Sequence, residues 1–289
     1  MVAVAVGAVA CSGGEVEVPE KVKIVLSAEM ASSQEASRAG YLSSVGAHWD
    51  KGDQITLWMG KDKDNSNISL LQQSISDDGK RAVFVSEVTL SGDVSGTVGA
   101  VYLPEGSFNS SGRVSVVLPE VQNYVEGGYS QIPLVGSASA VANNGGYVID
   151  NVVFKNPFAV LKLNVKTSSG TTTLNAIELS DLADNQMAGT LTIFPHNPEG
   201  VMSWKKVSSP AKSVTLDCGK GVELSSSAKS FYIVVPSGDL NSFDNGLQIC
   251  FRTTKGVATK TTQSLGILSA NTIYETPVLT FRNNDFVAE

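Results

Sequence analysis

No stretch of this chain keeps apolar residues at a helical period for more than about three turns. That absence constrains the fold more than any motif does. What recurs instead is a short apolar or β-branched run closed by Gly, Asn, Asp or Pro. Gly127-Gly128 and Asn143-Asn144-Gly145-Gly146 are turn signals of this kind. The runs at 98–103 and 114–118 are followed by Pro104 and Pro119, which have no N–H to give a ladder and so close their strands. The 27 glycines suit a chain that turns often. The expected class is all-β, and 289 residues suit two tandem sandwich domains.

The front of the chain is organised around residues 21–53. Val22, Ile24, Leu26 and Ala28 alternate onto one face of a strand. Burying all four contributes on the order of 5–10 kcal/mol, which rivals the net stability of an ordinary domain. The loop at 31–37 is small and polar, of the sort proteases nick, and Arg38 is the one Arg between Cys11 and Trp49. Turn chemistry at Asp50-Lys51-Gly52-Asp53 then launches a strand at 54–59. Asp77-Asp78-Gly79 has the form of a hairpin tip. Residues 158–165 (FAVLKLNV) form the most apolar strand and open a second domain as its central strand. The expected units are a signal and tether at 1–20, an N-terminal sandwich at 21–155 and a C-terminal sandwich at 156–289.

Val2 to Ala10 is apolar or Gly and leads into Cys11. A short apolar segment with small residues before a Cys is the pattern of a bacterial lipoprotein signal, with Cys11 as the lipidated residue and 12–20 as an acidic tether. No apolar run is long enough to span a bilayer. A net charge of −7 and a pI near 5.0 argue against a nucleic-acid partner, since no basic stripe faces phosphates.

Catalytic and metal chemistry is poorly supplied. His48 and His196 belong to no metal-ligand spacing, and no GxSxG elbow is present. Asp62-Lys63-Asp64-Asn65-Ser66 starts like a calcium loop, but Asn67 stands where the turn needs Gly and Gln73 where it needs a closing Glu. No enzyme activity, metal or cofactor is expected. Cys218 shares a face with Val214 and Leu216, whereas Cys250 points opposite to Ile249 and Phe251, so two separate thiols are favoured over a disulfide. Trp49 and Trp58 are expected in a core; Trp204 and Tyr124 are candidates for a sugar-binding surface.

In order along the chain, a set of motifs resembles the fimbrillin-like superfamily of type V pilus proteins. After Cys11 come Ser37-Arg38-Ala39 and Trp49-x-x-Gly52-Asp53-x-Ile55, then Ala100-Val101-Tyr102-Leu103-Pro104 and Val116-Val117-Leu118-Pro119-x-x-Gln122. Phe154-x-Asn156-x-x-Ala159-x-Leu161-x-Leu163, Ile177-x-Leu179, Ala188-Gly189 and Phe231-Tyr232-Ile233-Val234-Val235-Pro236 follow. Leu268-Ser269-Ala270-Asn271-x-Ile273-Tyr274 closes the set, with Asn271 where the family often has Gly.

The resemblance implies two transthyretin-like β-sandwich domains and export as a lipoprotein to the outer membrane. It also implies cleavage between Arg38 and Ala39, and loss of the first strand (Val22, Ile24, Leu26, Ala28). The vacated groove would take a C-terminal strand from the next subunit. The candidate donor is 272–281, with Ile273, Tyr274, Val278, Leu279 and Phe281. Partners would be other pilus subunits, like or unlike this one, and a host glycan or protein. This expectation places 22–28 as an edge strand over an apolar groove; a place inside a sheet, bonded on both flanks, counts against exchange. The competing expectation is an anchored glycan-binding lipoprotein that keeps its first strand.

Overall fold

The computed structural model describes residues 21–31, 34–36, 48–60, 65–92, 94, 96–102, 108–109, 111–129, 132–195, 202–204 and 210–288, with backbone only at 34–36, 202–204, 239 and 283. In these residues the chain is all-β, as expected. It opens with β1 (Val22–Met30) and a short β2 (Gln34–Ala36). β3 (Gln54–Trp58), β4 (Ile68–Ile75), β5 (Arg81–Val88) and β6 (Gly96–Tyr102) follow. Next are β7 (Val114–Leu118), β8 (Val121–Asn123), β9 (Leu134–Asn143) and β10 (Gly146–Phe154). The second half begins with β11 (Ala159–Thr167), β12 (Thr172–Asp181), β13 (Gly189–Ile193), β14 (Met202–Trp204) and β15 (Ser213–Leu224). β16 (Lys229–Val235), β17 (Ser242–Phe243), β18 (Leu247–Thr253) and β19 (Gly256–Thr261) continue it. β20 (Gly266–Ile267), β21 (Thr272–Glu275) and β22 (Leu279–Phe281) end it.

The first sheet closes on itself in the order β1-β10-β9-β6-β3-β4-β5, with β5 paired back to β1. Its interior is filled by period-two side chains, among them Ile24, Leu26, Leu57, Leu70, Phe84, Val98, Ala100 and Ile149, all essentially without solvent contact. Trp49 sits inside as expected, edge-on to Phe84, Tyr102 and Phe154 with ring centroids 4.9, 5.2 and 5.2 Å away. Trp58 is buried too.

A second layer, β16-β11-β21-β2, lies between two cores. Val160, Tyr232, Val234 and Ile273 face the barrel core, while Leu161, Leu163, Phe231, Ile233 and Val235 face the other. Burial on both faces is why 158–165 is apolar almost throughout rather than alternating. The five-stranded sheet β19-β18-β12-β15-β8 covers the far side of the second core.

Residues beyond the expected division at 155/156, among them Phe158, Val160 and Tyr232, enter the barrel core, and strands pair across it. β7 pairs with β13, and Leu191 and Ile193 enter the barrel core; β8 adds to β15 in the far sheet. A small strand completes whichever sheet offers it an open edge, and no local pattern announces which one.

Candidate functional site

The site implied by the sequence has a removable strand, β1, whose vacated groove would be the acceptor, and a donor, 272–281. Burial in β1 follows the expected face: Ile24, Leu26, Ala28 and also Met30 are buried, and Val22 is half-buried at the rim. Its place is not the expected one. β1 is paired antiparallel with β5 along Val22 to Glu29 and parallel with β10 from Lys23 to Met30. It is therefore an interior strand, and the expectation of an edge strand over an open groove is corrected. Beyond its end, the Met30 N–H donates to Lys80 O and the Ala31 N–H to Phe154 O, each at 2.9 Å, so both ladders are closed off by backbone.

Opposite Ser27 the parallel register slips, because β10 carries one extra residue there and Asn151 takes a φ of +59°. The Asn151 N–H donates to Ser27 Oγ at 3.0 Å, and that hydroxyl lies 3.1 Å from Asp150 Oδ1. One small hydroxyl thus satisfies the amide that the bulge would otherwise orphan.

The candidate donor is seated in its own molecule. β21 runs parallel to β11, and β22 pairs parallel with the end of β11. Ile273 and Phe281 are buried, Tyr274 and Leu279 are half-buried, and Val278 is about half exposed. Phe281 stacks edge-on to Phe251 at 4.8 Å. Charge reinforces the seat. Glu275 Oε1 is 3.2 Å from Lys162 Nζ and accepts from Asn164 Nδ2 at 2.6 Å, while Asn164 Oδ1 accepts from Ser230 Oγ at 2.7 Å. In this state 272–281 is part of the fold, not a free tail.

The other motif residues have structural work. Gly52, at φ +93°, donates its N–H to Gln72 Oε1, and Asp53 accepts from the Asp50 N–H and the Tyr102 hydroxyl. The turn before β3 is thereby pinned to β4 and β6. Asn271 adopts φ +54°, a left-handed conformation that Gly and Asn share, so its replacement of the usual Gly keeps the turn. Asn271 Oδ1 accepts from the Asn156 N–H, whose side chain accepts from the Phe158 N–H. Gln122, which sequence reasoning only noted as a landmark, pairs with β16: its Nε2 donates to Val234 O at 2.8 Å and its Oε1 accepts from Val234 N–H at 2.9 Å.

β2, missed from the sequence, lies parallel on β21, Gln34 opposite Thr272 and Ala36 opposite Tyr274. A three-residue polar strand has no periodicity to detect. Cys11, Arg38, Ala39, His196 and residues 62–64 of the calcium-like stretch lie outside the described residues, as does the side chain of Trp204, while Asn65 of that stretch is buried and bonded to the Ser91 backbone. Tyr124 is half-buried with its ring 5.4 Å from Phe231, packed on the second core, and burial raises its hydroxyl pKa. His48 is exposed beside Asp50. Both Cys218, which is buried, and Cys250 are free thiols.

No family model matches the sequence, and no curated protein matches it. Solved structures do. A candidate cell adhesion protein from Bacteroides ovatus superposes with a TM-score of 0.55 at 15% identity, covering 93% of this chain and 99% of that one. One from Bacteroides uniformis gives 0.56 at 14% identity, covering 91% and 93%. Another from Parabacteroides distasonis gives 0.50 at 11% identity, covering 93% and 91%. Over nine-tenths of its length this chain has the fold of these Bacteroides and Parabacteroides proteins, in agreement with the fimbrillin-like resemblance of its motifs.

Proposed function

We propose that the chain is a non-catalytic, adhesive or pilus-related component of a bacterial cell surface, held at the outer membrane by a lipid on Cys11. The observation that carries this is the fold, shared over nine-tenths of the chain with proteins named for cell adhesion. Other pilus subunits are its proposed partners, with a host glycan or protein as receptor.

Assembly by strand exchange is the finer form of the proposal, and the geometry sets its cost. Withdrawing β1 strips Ile24, Leu26, Ala28 and Met30 from the barrel core, on the order of 5–9 kcal/mol of burial, and breaks two ladders. That equals a whole domain's net stability, so a cut at Arg38 alone does not eject β1. An incoming strand must offer apolar residues at four alternate positions. Within 272–281 one frame reads Ile273, Glu275, Pro277, Leu279, Phe281 and the other Thr272, Tyr274, Thr276, Val278, Thr280. Neither frame supplies four, and Pro277 interrupts the ladder.

These two features favour a second form of the same function, a subunit that keeps β1 and anchors or ends a fibre. The N-terminal residue of the protein recovered from cells decides between them. Ala39 supports exchange, and lipidated Cys11 supports the anchor. Incubating purified precursor with trypsin and following oligomers resistant to mild denaturant is the matching assembly assay. Protein that is neither surface-exposed nor retained in pilus fractions overturns both.

A further inference from the structure

The layer β16-β11-β21-β2 has two edges, and the chain closes them by different means. At β16 a buried side chain does it: the Gln122 amide stands in for a strand, giving and accepting one hydrogen bond with Val234. At β21 the closure is three residues of backbone, Gln34 to Ala36. An unpaired strand edge invites another chain, so natural sheets block or cover it. A side-chain plug built into the fold is permanent. A short parallel strand hung from the end of β1 is not.

Three pairs in a parallel ladder are weak by themselves. β2 stays on β21 because β1, which ends at Met30, holds it within a few residues' reach. That tether supplies an effective concentration of about millimolar, and it disappears with the tether. β21 is also the front of the segment considered as a donor, and β1 is the strand considered for removal.

We propose that Gln34–Ala36 is a tethered cover on the edge of Thr272–Glu275, so that an event withdrawing β1 opens the barrel slot and uncovers β21 together. The precursor is thereby kept from pairing at either place before it is processed. This rests on the reading that residues preceding Ala39 can be detached, and it adds that withdrawal of β1, once a cut permits it, acts on both sheets.

Two full-length proteins test it, read by hydrogen–deuterium exchange. The first stays uncut and carries Gln34→Gly, Glu35→Pro and Ala36→Gly. The second carries a site-specific protease sequence within 40–46, is cut, and is passed over a sizing column in mild urea to strip the leading fragment. In the uncut variant, exchange across 272–275 accelerates by about tenfold while β1, β5 and β16 keep their protection. Unchanged protection at 272–275 overturns the cover. In the stripped protein, β5, β10 and 272–275 lose protection together. If β5 and β10 open while 272–275 holds, the coupling is overturned but release of β1 stands. If the fragment never leaves, the release reading fails, and the cover is judged on the uncut variant.

Discussion

The Lys162 ammonium lies 3.2 Å from the Glu275 carboxylate, tying β11 to β21 by charge as well as by backbone, with Lys162 almost fully buried. Such a pair adds little net stability over well-packed apolar residues, but breaking it on one side strands a charge. Glu275→Ala is expected to cost about 2–4 kcal/mol, somewhat under the fully buried figure because Glu275 keeps part of its exposure. Lys162→Met with Glu275→Leu should recover most of that loss. Urea unfolding of the three proteins checks both outcomes. The same cost faces any process that lifts 272–281 out to serve a neighbour.

Leu26→Ala should destabilise by about 2–5 kcal/mol, since the side chain is sealed in the barrel core and its neighbours are held by two ladders. Val25→Ala, one position along and facing outward, should cost under about 1 kcal/mol. Equilibrium unfolding of the two variants measures the contrast. A small loss for Leu26→Ala would mean that β1 is not integral to the barrel.

Gln122→Leu leaves the Val234 N–H and C=O buried without partners, which costs about 2–4 kcal/mol together. It also opens the β16 edge, so faster exchange at Val234 and a rise in concentration-dependent association are expected. Gln122→Glu, which retains an acceptor for the Val234 N–H but faces Val234 O with no donor, should not restore the native behaviour.

What the sequence discloses here is local. Alternation predicts which β1 side chains are buried, the unbroken apolar run at 158–165 predicts a central strand, and facing predicts that Cys218 and Cys250 stay apart; each is set by residues within a few positions of one another. The interior place of β1 is not local. It depends on parallel pairing with β10, more than a hundred residues on, and a period-two strand has the same pattern at an edge or in the middle. Crossing of the 155/156 division by β7, β8 and β13 is hidden for the same reason. Gln122 was visible as a letter but not as an edge plug, because the strand it closes lies 112 positions away.

Burial pushes the Cys218 thiol up from 9.0 to about 12, with the charge of Asp217 adding to it. At pH 8 its thiolate fraction is about one in ten thousand, so iodoacetamide should label Cys250 first and Cys218 only on unfolding. Below pH 9 both the folded and unfolded thiols hold their proton and no pH dependence arises. Between 9.0 and about 12 the unfolded chain binds fewer protons than the folded one, so this group lowers stability as pH rises. Cys218→Ala should remove that part of the alkaline slope, as read by unfolding midpoints from pH 8 to 11.

Asn271 carries the turn into β21 at φ +54° while its side chain holds the Asn156 N–H at 3.3 Å, and the two contributions separate by substitution. Asn271→Ala meets the left-handed backbone with a Cβ and no compensating amide, for a loss of about 1–2 kcal/mol. Asn271→Gly relaxes the backbone and gives up the long hydrogen bond to the Asn156 N–H, so it should cost less than Asn271→Ala. Thermal unfolding of the pair is the measurement. Equal losses would mean that the link to Asn156, and through it to the Phe158 N–H at the head of β11, matters more than the turn. The unequal result would explain why Gly and Asn are interchangeable here: the position is chosen for its backbone, which must reverse the chain so that β21 enters parallel to β11.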